Sequence, residues 1–183
     1  ATTSTPSGRG TFPTRLINIQ ASGDVEGYAY VGGLVVQGIY TQIEDSSFIG
    51  NLTTYSIRAG GLAGSLANSG VFRSSVRNSM VSGNIISNVL STSSLIGGVV
   101  GNMTYGEIEN VTFTGAIDAT NMSSVGGIVG SYVGDNTFVE NNQPIPSSPD
   151  RLNNLTVNAD ISNPIQTVGG IGGTINRALI TNV

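Results

Sequence analysis

The feature that most constrains this chain is a short glycine phrase that recurs five times in 183 residues. Each copy has an apolar or small residue, then two glycines, then further small or apolar residues. The double glycines are Gly32 and Gly33, Gly60 and Gly61, Gly97 and Gly98, Gly126 and Gly127, and Gly169 and Gly170. Self-similarity at roughly 20–50 residues is typical of a repeat array, not of a compact enzyme domain.

A second pattern precedes each double glycine and is centred on a small anchor residue. The anchors are Gly23, Gly50, Gly83, Gly115 and Ala159. Five residues earlier stands an Asn or Asp, in the column Asn18, Asp45, Asn78, Asn110 and Asn154, with Asn182 opening a sixth unit. Apolar residues stand two positions either side of the anchor, as Phe48 and Leu52 do around Gly50. This spacing predicts a strand with one buried face, towards which the anchor also points.

Units of about 30 residues with short strands and turns predict an all-β fold, a β-solenoid similar to a β-helix with about five to six stacked coils. Strands of successive coils lie about 4.8 Å apart, so equivalent residues form ladders. We expect Phe48, Val81, Phe113 and Val157 to be consecutive interior neighbours. The double glycine allows a close backbone approach or a positive φ at a bend. Its flanking residues, such as Ile128 and Val129, are apolar in succession, which predicts burial on both faces.

The domain limits follow from where the repeat stops. Residues 1–15 lie outside it and are interpreted as an N-terminal tail or cap, and residues 16–183 as the solenoid. An insertion of about 140–151 contains Pro144, Pro146 and Pro149, which cannot join a central ladder, so it is expected to form an excursion loop. The chain stops inside its sixth unit, so we expect either further coils after Val183 or stacking of subunits.

Composition removes many functions. The sequence has no Cys, His, Lys or Trp, which excludes a His-based zinc-peptidase helix, a Ser-His-Asp triad and a Walker loop. The formal net charge of −4 argues against a nucleic-acid partner, and no apolar run is long enough for a membrane span. Low charge with abundant Ser, Thr and Asn favours an extracellular or cell-surface location.

Paired carboxylates are the remaining candidates for chemistry. Glu107 and Glu109 share one face of a strand, as glycoside chemistry would require. However, Glu44, Arg77 and Glu109 fall at equivalent positions of successive coils, and Glu107 aligns with Arg151. We therefore predict a surface ladder of alternating charge and assign no catalytic, cofactor or metal residue.

The asparagines allow two interpretations. The Asn/Asp column could bind a ligand or calcium, but a structural ladder of amides along the stack is favoured. Five N-x-Ser/Thr sequons also occur. Two of them, Asn110 and Asn154, fall in the column, so Asn51, Asn102 and Asn121 are the better glycosylation candidates.

The phrase φ-Gly-Gly-φ-φ-Gly, preceded by Asn-x-x-φ-x-Gly-x-φ, resembles the GLUG repeat over about residues 16–183. Two copies depart from the motif. Val36 replaces the last glycine of the first copy, and the second copy has the smaller residues Ala59 and Ala63 at two of its apolar positions. Repeats of this family occur in large secreted and surface proteins, mostly bacterial, such as adhesins and the non-catalytic parts of metallopeptidases that cleave immunoglobulin A. The resemblance implies a carrier, not an activity.

We therefore expect a non-enzymatic extracellular structural or adhesive module that forms a stiff rod, within a larger surface protein or fibre. Its expected partners are other copies of itself or further repeats of the same protein, and a surface glycan or host protein. The alternative is a carbohydrate-active or carbohydrate-binding β-helix. That alternative needs aromatic platforms, and the six tyrosines do not share one column: Tyr28, Tyr30, Tyr40, Tyr55, Tyr105 and Tyr132.

Overall fold

The structure, a computed structural model, describes residues 12–55, 57–68, 73–88, 94–134, 139–140, 143–144, 150–164 and 166–183. Within these ranges the chain is all-β, and its three main sheets are parallel. The predicted all-β class is therefore confirmed. No helix in the described part of the chain is long and apolar enough to cross a membrane.

The strands follow the repeats in chain order. The first repeat has β1 (Thr14–Ile17), β2 (Gln20–Ser22), β3 (Val25–Gly27), β4 (Tyr30–Gly32) and β5 (Val35–Ile39). The second has β6 (Thr41–Glu44), β7 (Ser47–Ile49), β8 (Leu52–Thr54), β9 (Arg58–Gly60) and β10 (Ala63–Ala67). The third has β11 (Ser74–Ser82), β12 (Ile85–Ser87), β13 (Leu95–Gly97) and β14 (Val100–Thr104).

The later repeats have longer strands. The fourth has β15 (Gly106–Asp118), β16 (Ser124–Gly126) and β17 (Val129–Val133), followed by an antiparallel pair, β18 (Val139–Glu140) and β19 (Gln143–Pro144). The fifth has β20 (Arg151–Ser162), β21 (Thr167–Gly169) and β22 (Gly172–Asn176), and the sixth begins with β23 (Leu179–Thr181).

Each of the first five repeats contributes to three parallel sheets. The long sheet has eleven strands and contains the first part of every repeat. The second sheet has five strands in the order β21-β16-β13-β9-β4, and the third has the order β22-β17-β14-β10-β5. Neighbours in the second and third sheets therefore come from consecutive repeats.

The register of the long sheet confirms the predicted interior column. Val81 pairs with Phe48 on one side and Phe113 on the other, and Phe113 pairs with Val157. Phe48, Val81 and Phe113 are buried, while Val157 is partly buried near the end of the stack. The first strand begins at Thr14, so pairing starts two residues before the predicted limit at residue 16.

The second and third sheets pack closely against each other, so the residues after the double glycine are buried on both faces in the inner repeats, as predicted, and less fully buried at the two ends. Val99, Val100, Ile128 and Val129 have no exposed surface. Small residues allow this contact because their backbones can approach without intervening side chains. The small residues of the phrase therefore allow the second and third sheets to lie in direct contact.

The double glycine itself forms a tight turn between the second and third sheets. A Cβ on Gly126 would lie less than 3.0 Å from the carbonyl oxygen of Val129 in the same repeat. A Cβ on Gly98 would meet the Phe113 ring and the carbonyl oxygen of Gly127 at similarly short distances. The first glycine is thus required by the turn, and the second by the core and the next repeat.

The prediction that the anchor points inward is wrong for the glycine anchors, whereas Ala159 packs against the core as predicted. Gly50, Gly83 and Gly115 have φ angles of 154°, 144° and 149°. A Cβ on any of them would lie less than 3.0 Å from the carbonyl oxygen of the preceding anchor, along the stack. Glycine stands there because the backbone conformation and the neighbouring repeat both exclude a side chain.

The two insertions leave the stack at one corner, between the third sheet and the long sheet. The shorter lies between β10 and β11, and the longer between β17 and β20. Of the predicted loop at 140–151, residues 141–142 and 145–149 lie outside the described residues, and Arg151 already belongs to β20. Residues 1–11 of the predicted N-terminal tail also lie outside them.

Candidate functional site

The predicted charge ladder lies on the side of the long sheet opposite the core. Arg77 pairs in register with Glu44 and with Glu109, and Glu107 pairs with Arg151, so the predicted alignments are confirmed. These side chains flank the buried column of Ile43, Val76, Ile108 and Leu152. The strand alternation of the sequence thus places all of them on one surface.

Glu107 is the centre of this ladder. Its Oε2 lies 2.5 Å from Nη2 of Arg77, and its Oε1 lies 2.8 Å from Nε of Arg151. Glu109 is held more loosely, because its Oε2 is 3.8 Å from Nε of Arg77. Its Oε1 accepts a hydrogen bond of 2.9 Å from Nδ2 of Asn153. The shortest contact of Arg77 is therefore diagonal, to Glu107, and not to either of its register partners.

The electrostatics of the ladder favour the ionised carboxylate. Burial raises the pKa of Glu107, but hydrogen bonds from Arg77 and its other neighbours outweigh burial, and the net pKa is lowered. The hydrogen bond to Glu107 in turn raises the pKa of Arg77. A general acid for glycoside cleavage needs the opposite shift. This geometry suits cross-repeat pairing rather than proton donation.

The Asn/Asp column has a backbone role that sequence reasoning missed. All six members, Asn18, Asp45, Asn78, Asn110, Asn154 and Asn182, have φ between 48° and 56°. Asn and Asp tolerate this left-handed conformation better than other residues with a side chain. The tolerance is a sequence signal that was available from the residue type.

Amides also link members of the column along the stack. Asn78 donates from Nδ2 to Oδ1 of Asp45 at 3.1 Å, Asn110 donates to Asn78 at 2.9 Å, and Asn154 donates to Asn110 at 2.7 Å. Asn182 departs from this pattern, because its Nδ2 lies 3.3 Å from Oδ1 of Asn153 instead. The described bonds hold one repeat to the next at a position where the strand bends.

A second ladder, which the sequence analysis did not identify, stands one residue after the anchors. Oδ1 of Asp24 accepts the backbone N–H of Asn51 at 2.9 Å, and Oδ1 of Asn51 accepts that of Asn84 at 3.1 Å. Asn84 then accepts the backbone N–H of Ala116 at 3.0 Å. The sequence signal was present as the Asp and Asn residues that follow the first three anchors, whereas Ala116 follows the fourth.

This second ladder affects the sequon candidates. Nδ2 of Asn51, the atom that would carry a glycan, donates to Asp24 at 3.1 Å. Asn102 is partly buried in β14, where it pairs in register with Ser65 and Ser131. Asn121 is exposed in a turn. Of the three, Asn121 has the most accessible side chain.

A buried ion pair lies where the two insertions rejoin the long sheet. Asp150 pairs with Arg73, and its Oδ1 also accepts the N–H of Gly106 at 2.8 Å. The hydroxyl of buried Tyr132 donates to the carbonyl oxygen of Gly106 at 2.5 Å, and burial raises the pKa of this tyrosine. This cluster ties the third, fourth and fifth repeats together.

Two of the six tyrosines are in contact with each other. Tyr28 and Tyr55 follow the register pair Gly27 and Thr54, and their rings stack with centroids 4.5 Å apart. These two tyrosines therefore share a column, which was not predicted for any pair of the six. The outer ring, that of Tyr28, is 77% exposed. Arg58 lies 5.0 Å from the Tyr30 ring centroid nearby.

Among the described residues, no group of three or more His, Cys, Asp or Glu side chains is arranged to hold a metal ion.

Comparison with known proteins identifies one family. The family model for the GLUG motif matches residues 92–118, a span that contains the third double glycine, Asn110 and the anchor Gly115. The resemblance to this motif is thus confirmed over that span. No curated protein and no solved structure gives a significant match.

Proposed function

We propose that this chain is a non-enzymatic structural module, a β-solenoid of five coils and the start of a sixth, within a larger extracellular array. The observation that carries the proposal is the parallel register that runs through all repeats, from β1 to β23. Each repeat uses its neighbours to pair its backbone, so stability is shared along the stack. The match to a motif found as a repeat supports the same conclusion.

The mechanical role follows from geometry. One coil adds about 4.8 Å along the stack, so this chain contributes roughly 25–30 Å. A stiff rod therefore needs further repeats of the same protein. Side-chain ladders such as Asn78–Asn110–Asn154 add hydrogen bonds in the direction of growth, which resists bending between coils.

The charge ladder supports the non-enzymatic part of the proposal. Both carboxylate oxygens of Glu107 lie within 2.8 Å of an arginine nitrogen, and the pKa of Glu107 is lowered. Incubation with polysaccharides and analysis for released sugars tests this point. Product release that is lost in Glu107→Gln but retained in the exposed control Glu26→Gln would contradict the proposal.

The location has a direct experimental test. An antibody raised against residues 12–183 should label unpermeabilised cells of the source organism, and brief protease treatment of intact cells should remove the label. Labelling that needs permeabilisation would contradict an extracellular role and leave the solenoid unaffected.

The alternative function is carbohydrate binding at the exposed ring of Tyr28. An open tyrosine face backed by a second ring, that of Tyr55, is suited to packing against a sugar. A glycan array probed with the protein and with Tyr28→Ala tests this alternative. Phe12→Ala is the control, because Phe12 is also highly exposed. Binding lost only in Tyr28→Ala would favour a surface glycan as partner.

A further inference from the structure

In every copy of the phrase after the first, the last glycine lies against the backbone of the preceding repeat. Its four occurrences are Gly64, Gly101, Gly130 and Gly173. A Cβ on each would lie less than 3.0 Å from the backbone of the second-sheet strand in the preceding repeat: at Val31, Ala59, Ile96 and Val125, respectively. A side chain at this position is therefore incompatible with a repeat stacked before it.

The first copy has Val36 at the same position. Val36 lies between the register pairs Ala63–Val35 and Ser65–Gln37, so it is the register equivalent of Gly64. Its Cβ accordingly points towards the N-terminal end of the stack, where the other repeats would have a neighbour. No described strand lies beyond β4 and β5 on that side. The one copy of the phrase that lacks the last glycine is thus the copy at the N-terminal end of the described stack.

The C-terminal end, in contrast, has open space where a further repeat would lie. A Cβ on Gly170 would have no atom within 4 Å, because no described repeat follows it there. Val168 is 50% exposed and Ile180 is 41% exposed at this end. The backbone of Val168 is the register equivalent of Val125, which Gly173 contacts. The end therefore continues the same interface that joins the earlier repeats.

We infer that the stack extends in one direction only. Its C-terminal end accepts a further repeat that carries glycine at the last position of the phrase. Val36 keeps such a repeat off the N-terminal end, including the C-terminal repeat of a second copy of this chain. The inference rests on the proposed solenoid but not on its location or its partners outside the array.

The N-terminal end is tested by giving it a neighbour. A second copy of residues 74–105, one complete repeat, is inserted between Pro13 and Thr14. In this extended chain Val36→Gly should raise the melting temperature by about 3 °C or more, because it removes the clash. In the natural chain the same substitution should not raise it, since glycine only adds freedom to the unfolded chain.

A second measurement covers the case in which the inserted repeat unfolds. Hydrogen exchange should protect the inserted copy of Leu95–Gly97 in the Val36→Gly form and leave it unprotected with Val36. The inference is overturned if the inserted strand is equally protected, or equally unprotected, in the two forms. Loss of surface labelling of cells would instead concern the proposed function alone.

The C-terminal end is tested by completing the sixth repeat. Residues 112–134 are appended after Val183, because Val183 is the register equivalent of Val111. The appended chain should melt higher than the natural one. Gly130→Val in the appended copy should abolish the gain, whereas equal melting temperatures of the two appended chains would overturn the inference.

Discussion

Asp150 and Arg73 form an ion pair although they are 77 residues apart and belong to the fifth and third repeats. The fourth repeat lies between them, and it has Gly106 at the level where they meet. A Cβ on Gly106 would lie less than 3.0 Å from the carbonyl oxygen of Ser74. The pair thus bridges a repeat that has no side chain at that level.

Asp150→Asn should destabilise the protein by about 3 kcal/mol, because it removes the carboxylate charge that pairs with the largely buried guanidinium of Arg73. The amide oxygen can still accept the N–H of Gly106, so the loss of stability measures mainly the effect of removing the charge. Urea unfolding measures the change. Asp24→Asn, at an exposed position, is the matched control and should change stability far less; equal losses would contradict a special role for the buried pair.

Gly126→Ala should destabilise by about 1–3 kcal/mol through overpacking against the carbonyl of Val129 and the backbone of Gly172 and Gly173. Gly170→Ala provides the control, because its new Cβ would enter open space. Thermal unfolding of both variants tests the explanation of the double glycine. An unchanged melting temperature for Gly126→Ala would show that the turn can relax.

Asn110 has a φ of 53° and accepts and donates amide hydrogen bonds along the stack. Asn110→Ala loses the bonds and also forces alanine into a left-handed conformation, at about 1–2 kcal/mol. Asn110→Gly loses the same bonds without that strain. We expect the glycine variant to be the more stable in urea unfolding. The reverse order would mean that the backbone conformation is not limiting.

Glu107 should make stability depend on acid pH. Its pKa is lower in the folded than in the unfolded chain. Its stabilising contribution is therefore fully present above the unfolded value of about 4.3 and is lost as the pH falls through the folded value. Glu107→Gln should cost about 1–2 kcal/mol at pH 7, since it breaks a partly exposed pair, and the difference from wild type should shrink below about pH 4.

Melting curves of wild type and Glu107→Gln between pH 3 and pH 7 would measure this difference. Glu26→Gln, at the exposed position of β3, is the control and should show no comparable trend. A stability difference that stays constant down to pH 3 would exclude ionised Glu107 as the cause.

The columns of the long sheet could be predicted because two signals coincide there. A period of two places Phe48, Val81 and Phe113 inside, and repetition along the chain aligns them. The direction of the anchor could not be predicted, because a glycine carries no side chain whose pattern would reveal it. Its contact along the stack depends on the neighbouring repeat.

Other features were missed, some of them although the sequence showed them. Tyr28 and Tyr55 stack, and each stands five residues after its anchor, so their equivalence was visible in the sequence and was not used. Arg73 and Asp150 follow insertions of different length and are separated by a whole repeat. The second Asx ladder of Asp24, Asn51 and Asn84 was visible as a column and was not used.

The shared corner of the two insertions has a consequence for how such a chain can change. Segments of very different length leave between β10 and β11 and between β17 and β20, yet the strands after them resume the same register. Both segments lie at one edge of the molecule, and because their repeats are two levels apart they are separated by about 10 Å along it. Foreign peptides grafted at this corner should be tolerated without changes to the side-chain ladders. The distance between two grafted peptides along the edge would depend on which repeats carry them.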